Sequence, residues 1–222
     1  MKSPKHISRK ELEKKISNNE SISTVDTSSI DDMEGLFDGN DTFNQPLNDW
    51  DVSKVTNMFS MFRDATSFNQ PLNDWDVLNV TDMSCMFGET ERFNQLLNNW
   101  DVSNVESMYC MFQGAISFNK PLNDWDVLNV TDMSCMFCRA KSFNQPLNDW
   151  DVSGVEWMSG MFWGAKRYTY SFKTWKLNPE CKTNSFLKGC NLWHLFNTVE
   201  DLPMQNGERI QLEGDETVWK IL

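Results

Sequence analysis

Histidine is nearly missing, with 2 in 222 residues, His6 and His194, far apart in the chain. Most histidine-based catalysis and histidine-rich metal sites are therefore poorly supplied. Long apolar runs are missing too. No stretch approaches the roughly 18 consecutive apolar residues of a membrane span, so no membrane span is expected. Cations are short: 20 Lys and Arg stand against 32 Asp and Glu, a net charge of −12. That balance disfavours nucleic acid and anionic membranes as partners. The chain has no Gly-rich phosphate loop, no G-x-S-x-G, no H-E-x-x-H and no Cys/His pair in register. An enzyme is not expected, and neither is a cofactor. The basic start MKSPKHISRKELEKKISNNE has no apolar segment after it, so it does not read as a signal peptide. Lys2 stands where myristoylation needs glycine. As written, the chain is expected to stay inside the cell that makes it; a surface or particle location would follow if a leader is missing.

What is abundant is Trp, Met and Phe, at 10, 13 and 15 residues. Their common cause is an internal repeat of 25 residues. The unit WDVSKVTNMFSMFRDATSFNQPLND starts at 50 and recurs at 75, 100, 125 and 150 without insertion or deletion. A weaker copy starts at Val25 and a degenerate one at Trp175. Trp50, Trp75, Trp100, Trp125, Trp150 and Trp175 share one position. Val52, Val55, Met58, Met61, Phe62 and Phe68 head further columns. Eleven of the Met and eleven of the Phe lie in such columns, so the unusual composition is a packing device. A fixed period of this size marks a stack in which each unit buries its apolar side on the next.

Two shorter periods run inside the unit. Trp50 and Val52 alternate with Asp49, Asp51 and Ser53, which predicts a short strand. Val55, Met58, Met61, Phe62 and Ala65 follow helical spacing and predict about three helical turns. Ser28, Ser53, Ser103 and Ser153 stand as N-caps, and Gly39, Gly114 and Gly164 as C-caps. Strands stack at about 4.8 Å and helices at about 8–10 Å, so a strand-helix unit bends the stack. The expected fold class is an α/β repeat solenoid, a leucine-rich-repeat-like arc of about six to seven strand-helix coils. The expected organisation is a basic flexible leader over 1–20, the solenoid over 21–175, and a degenerate repeat with C-terminal cap over 176–222. Ile7, Leu12 and Ile16 can line one side of a short leader helix. Asn206-Gly207 is a turn signal for a terminal hairpin.

The strings FNQPLNDWDVSKVTNMFSMFRDATSF and FNKPLNDWDVLNVTDMSCMFCRAKSF resemble the 25-residue repeats of BspA-like leucine-rich-repeat surface proteins, also described as a mycoplasma-type domain of unknown function. The resemblance covers about residues 25–175. It implies a β/α solenoid and, for surface members, adhesion and protein binding. It implies no catalytic residues.

The outward acidic positions are the sharpest functional signal. Asp51, Asp76, Asp101, Asp126 and Asp151 form one column; Asp49, Asp74, Asp124 and Asp149 form another, broken by Asn99. Stacked carboxylates repel unless they are solvated, capped or neutralised. Three readings follow: Asp accepting backbone N–H bonds in its own turn, an acidic strand face for a basic protein partner, or bound Ca²⁺, for which no loop spacing is seen. Repeated identically, they lack the paired, unequal environments of a catalytic dyad. Asn44, Asn69, Asn94, Asn119 and Asn144 read as a structural ladder. Cys85, Cys110 and Cys135 share a column, and Cys135-Met-Phe-Cys138 is a lone C-x-x-C, a weak metal signal. At helix spacing these thiols stay out of disulfide reach and on the outer face, and no metal site is expected. Cys181 and Cys190 would pair only after export. The function expected from sequence is a non-enzymatic, protein-binding repeat scaffold that presents the acidic strand face to a partner protein, a basic one in the first instance. The alternative is a structural or adhesin-like protein acting through assembly.

Overall fold

Two backbone positions in every unit decide its shape. Gly35, Ser60, Cys85, Cys110, Cys135, Gly160 and Ser185 have φ between 53° and 65°. Four residues later, Gly39, Asp64, Glu89, Gly114, Arg139, Gly164 and Gly189 have φ between 54° and 73°. Left-handed residues at this spacing interrupt a right-handed helix. The hydrogen bonds match. The N–H groups of Met58, Ser60, Phe62 and Asp64 go to the carbonyls of Asp82, Ser84, Met86 and Gly88 in the next unit, at 2.8–2.9 Å. Between them, Met61, Arg63 and Ala65 close back on Met58, Ser60 and Phe62 at 3.1–3.2 Å. Alternate N–H groups thus serve the neighbour and the local turn, and none is left for an α-helical ladder. The glycines read as helix C-caps are left-handed turn residues instead.

The computed structural model describes residues 6–190, 204–205 and 208–209. Its helix α1 is Arg9–Ser17. Its strands β1, Met204–Gln205, and β2, Glu208–Arg209, pair antiparallel; the turn expected at Asn206-Gly207 lies outside the described residues. No strand or helix occurs in the described residues of the repeats. The bridges between units are single and parallel, running from Asp32 to Asn57, Asp82, Ser107, Asp132, Trp157 and Lys182 in succession. At the expected strand, Trp50 donates its N–H to the Leu47 carbonyl and Val55 to the Val52 carbonyl, which are turn bonds. The expected α/β fold class, a leucine-rich-repeat-like solenoid arc of strand-helix coils, is therefore corrected: the repeats are built from turns. The reason is spacing. Successive rings of Phe37, Phe62, Phe87, Phe112, Phe137 and Phe162 lie 5.2–5.7 Å apart, too near for helices that pack at about 8–10 Å. Without helices on one side, nothing forces the expected curvature.

The apolar columns line the core. Trp, Val, Met and Phe at the repeated positions are buried throughout. Trp75 and Trp100 stack with ring centroids 6.5 Å apart and planes within 1°. The column's Trp also donate their indole N–H to a carbonyl 28 residues back: Trp50 to Ile22, Trp75 to Leu47, Trp100 to Leu72, Trp125 to Leu97, Trp150 to Leu122 and Trp175 to Leu147. The asparagines form a second tether. Asn44 Oδ1 accepts from Asn69 N–H at 3.0 Å, and Asn69, Asn94 and Asn119 repeat the bond onward.

The start of the stack is covered by α1. Ser8 caps it in a reciprocal capping box with Glu11. Leu12 is wholly buried, Ile7 is buried, and Ile16 packs against the core. Residues 6–20 of the basic leader are thus folded against the first unit. Past Trp175, Cys181, Phe186 and Leu187 remain buried in the same core. Among the described residues no helix is long and apolar enough to cross a membrane.

Candidate functional site

Asp51, Asp76, Asp101, Asp126 and Asp151 occupy tight turns at one edge of the stack. Their Oδ1 atoms accept from the N–H two residues on: Ser53 at 3.0 Å, Leu78 at 3.2 Å, Ser103 at 3.1 Å, Leu128 at 3.1 Å and Ser153 at 3.0 Å. Aspartate favours this local closure because its short side chain reaches its own backbone. Ser53 and Ser103 add hydroxyl bonds to Asp51 and Asp101 at 2.6 Å. The serine hydroxyls, helped by the same backbone N–H groups, hold the Asp51, Asp101 and Asp151 carboxyls below the usual carboxylate range. Asp49, Asp74, Asp124 and Asp149 lie beside them, and all nine carboxylates are exposed. Asp149 is tied to Asn123, whose side chain meets both its N–H and its carboxylate. Asp124, Asp126, Asp149 and Asp151 share a shallow depression of about 310 Å³. The carboxylates of Asp51, Asp76, Asp101, Asp126 and Asp151 each close their own turn, and none of the nine projects from a sheet.

The other concentration of reactive groups is the cysteine column. Cys85, Cys110 and Cys135 take the first left-handed position of three successive units. The Cys85 N–H meets the carbonyl of Tyr109, the residue before Cys110, at 2.7 Å. The Cys110 N–H meets that of Ser134, the residue before Cys135, at 2.9 Å. The thiols are therefore one turn layer apart, not one helix apart. Cys110 and Cys138 are buried; Cys85 and Cys135 are half-buried. The column does not lie on an outer helix face as the sequence suggested. Hydrogen bonds from Cys110 and then Cys138 pull the Cys135 thiol well down. The same contacts push the other two up, Cys110 through Cys135 and Cys85, and Cys138 through Cys135. Cys85 is lowered by Cys110 and by the Arg63 guanidinium. Burial pushes the Cys181 and Cys190 thiols up to about 11 and about 12. Among the described residues no three His, Cys, Asp or Glu side chains gather into a metal-binding group.

The family profile described as "Mycoplasma protein of unknown function, DUF285" matches residues 8–115 and 93–197. The chain belongs to this family. No curated protein matches it, and no solved structure does. The BspA-like leucine-rich-repeat assignment is corrected accordingly, and the adhesion associated with those surface proteins has no support here. DUF285 as described carries no function of its own. The expected function is corrected with the fold. A scaffold presenting an acidic strand face needs a sheet, and the repeats of this DUF285 chain have none. The adhesin-like alternative rested on the same surface-protein resemblance and goes with it.

Sequence reading underrated the thiols because it spaced them as helices. One signal was legible: their column also holds Gly35 and Gly160, and glycine at one position of an otherwise regular unit points to a left-handed backbone.

Proposed function

We propose that this DUF285 chain is a non-catalytic protein whose partner is a basic protein. The observation that supports this is the segregation of charge. Residues 21–138 hold nineteen Asp and Glu and only four Lys and Arg. Of those four cations, Arg63 is held by Asp38 at 2.9 and 2.6 Å. Each turn aspartate commits one oxygen to its own backbone and remains exposed, so the negative field stays open to solvent. Such a field raises the on-rate of a cationic partner and rejects an anionic one. The non-catalytic reading is supported by the sameness of the carboxylates, which repeat one local geometry instead of forming unequal pairs. A location inside the producing cell is part of the same proposal and is supported by the free thiols of Cys85, Cys110, Cys135, Cys138 and Cys190.

The test is a fluorescence titration of the full chain with a Lys/Arg-rich peptide and with an acidic peptide of equal length, at about 20 and about 300 mM salt. Tighter binding of the basic peptide, weakened about tenfold by salt, is the expected result. Equal affinity for both peptides, or binding indifferent to salt, refutes the proposal.

A further inference from the structure

We propose that Cys110 and Cys135 form a peroxide-responsive thiol pair, with Cys135 as the attacking sulfur and Cys110 as the resolving one, joined on oxidation by a disulfide between neighbouring units. Three observations carry this. The backbone places the two residues at the same position of adjacent turn layers, with the Cys110 N–H 2.9 Å from the carbonyl of Ser134. Sulfur placement is suitable as well. A β-carbon on Gly160, the equivalent position of the following layer, would stand 3.2 Å from Cys135 Sγ. That is close to the roughly 3 Å between a sulfur and the partner β-carbon across a disulfide. The column thus already holds a sulfur near bonding distance from the next layer. Access is the third observation. Gly160 puts no side chain over Cys135, which is half-buried, whereas Cys110 lies between two cysteine layers and is only 4% exposed. An oxidant reaches Cys135 first.

The neighbouring thiols supply the chemistry. The nearness of Cys110 and Cys138 favours the Cys135 thiolate, the nucleophilic form of cysteine; in the resting chain the Cys110 S–H turns to Gln113 Oε1 at 2.8 Å and the Cys135 S–H to the Ser159 carbonyl at 3.7 Å. The thiolate attacks a hydroperoxide, here hydrogen peroxide. The O–O bond breaks, an S–O bond forms, and hydroxide leaves with its electron pair, giving a sulfenic acid at Cys135. Cys110 Sγ then attacks that sulfur. An S–S bond forms, the S–O bond breaks, and the departing hydroxide leaves as water with the Cys110 proton. Two thiols lose two electrons and one peroxide becomes two waters. No metal or other cofactor is required.

The experiment treats the native full chain with hydrogen peroxide, alkylates the remaining thiols and maps the peptides by mass spectrometry. A Cys110–Cys135 cross-linked peptide is expected, with Cys181 and Cys190 still alkylated. In Cys110→Ser the disulfide is lost and a dimedone-reactive sulfenic acid accumulates at Cys135. Serine already occupies this column at Ser60 and Ser185, so the variant is compatible with the fold, and its circular dichroism confirms that. Cys135 in the untreated chain reacts with iodoacetamide at least roughly tenfold faster than Cys181, whose thiol burial pushes up to about 11, because the thiolate is the reacting form. A disulfide closing Cys135 on Cys138, intermolecular cross-links only, or Cys135 labelling no faster than Cys181 overturns the proposal.

Discussion

Replacing Trp100 by Phe isolates the indole tether. Trp100 is buried, and its Nε1 donates to the Leu72 carbonyl at 2.8 Å. Its ring lies between those of Trp75 and Trp125, 6.5 and 6.4 Å away. Phenylalanine keeps an aromatic ring in the stack but removes the donor. The Leu72 carbonyl keeps the Trp75 N–H at 3.1 Å and loses this second donor, which costs about 0.5–1.5 kcal/mol. The smaller ring forfeits roughly 1 kcal/mol more of apolar burial. The expected loss is about 1.5–2.5 kcal/mol, or a fall in melting temperature of about 3–10 °C for a chain of this size. Urea denaturation followed by circular dichroism measures it. Trp157→Phe is the control: Trp157 is 49% exposed and outside the ladder, so its change stays within about 0.5 kcal/mol. If Trp100→Phe loses no more than Trp157→Phe, the indole-carbonyl bond does not hold adjacent units together.

Other outcomes follow from single sites. Tyr168 replaces Phe in its column and buries a hydroxyl that finds no hydrogen-bond partner; Tyr168→Phe is expected to stabilise by about 1 kcal/mol in the same urea assay. Gly114 has φ of +67°, and a β-carbon there would meet the Glu89 carboxylate; the left-handed backbone alone makes Gly114→Ala cost about 1–2 kcal/mol. Leu12→Ala, by emptying the buried side of α1, is expected to cost about 2–5 kcal/mol and to expose residues 6–20 to limited proteolysis; unchanged protease resistance would show that the helix is not needed at that end. The Asp101 carboxyl lies below its ordinary value chiefly through the Ser103 hydroxyl. Its small contribution is therefore present above the unfolded value of about 3.9 and lost as pH falls through the lower folded value. Carboxyl NMR of Ser103→Ala is expected to show that titration moving back up.

The sequence carried enough to find the period, the columns and the buried set. Trp, Met and Phe spaced by 25 have no other reason to recur, and burial of identical faces against one another follows from their apolar area. Pairs such as Phe62 and Phe87 do stack. The candidate site was legible in part: the aspartate columns were visible, and closure of each turn by its own carboxylate was among the readings weighed. The backbone inside the unit was not legible. Val55, Met58, Met61, Phe62 and Ala65 fit a helical face, yet Met58, Ser60, Phe62 and Asp64 give their N–H groups to residues 24 positions away. No local window contains that partner. Once those bonds form, stacking aromatics one turn layer apart excludes helices, and side chains as ordinary as Ser60 and Arg139 are held left-handed. The same layer spacing brought Cys110 and Cys135 together. Periodicity determined which side chains lie inside; non-local hydrogen bonding decided the conformation that puts them there, because the energy of a backbone donor depends on where its acceptor is and not on the residues beside it.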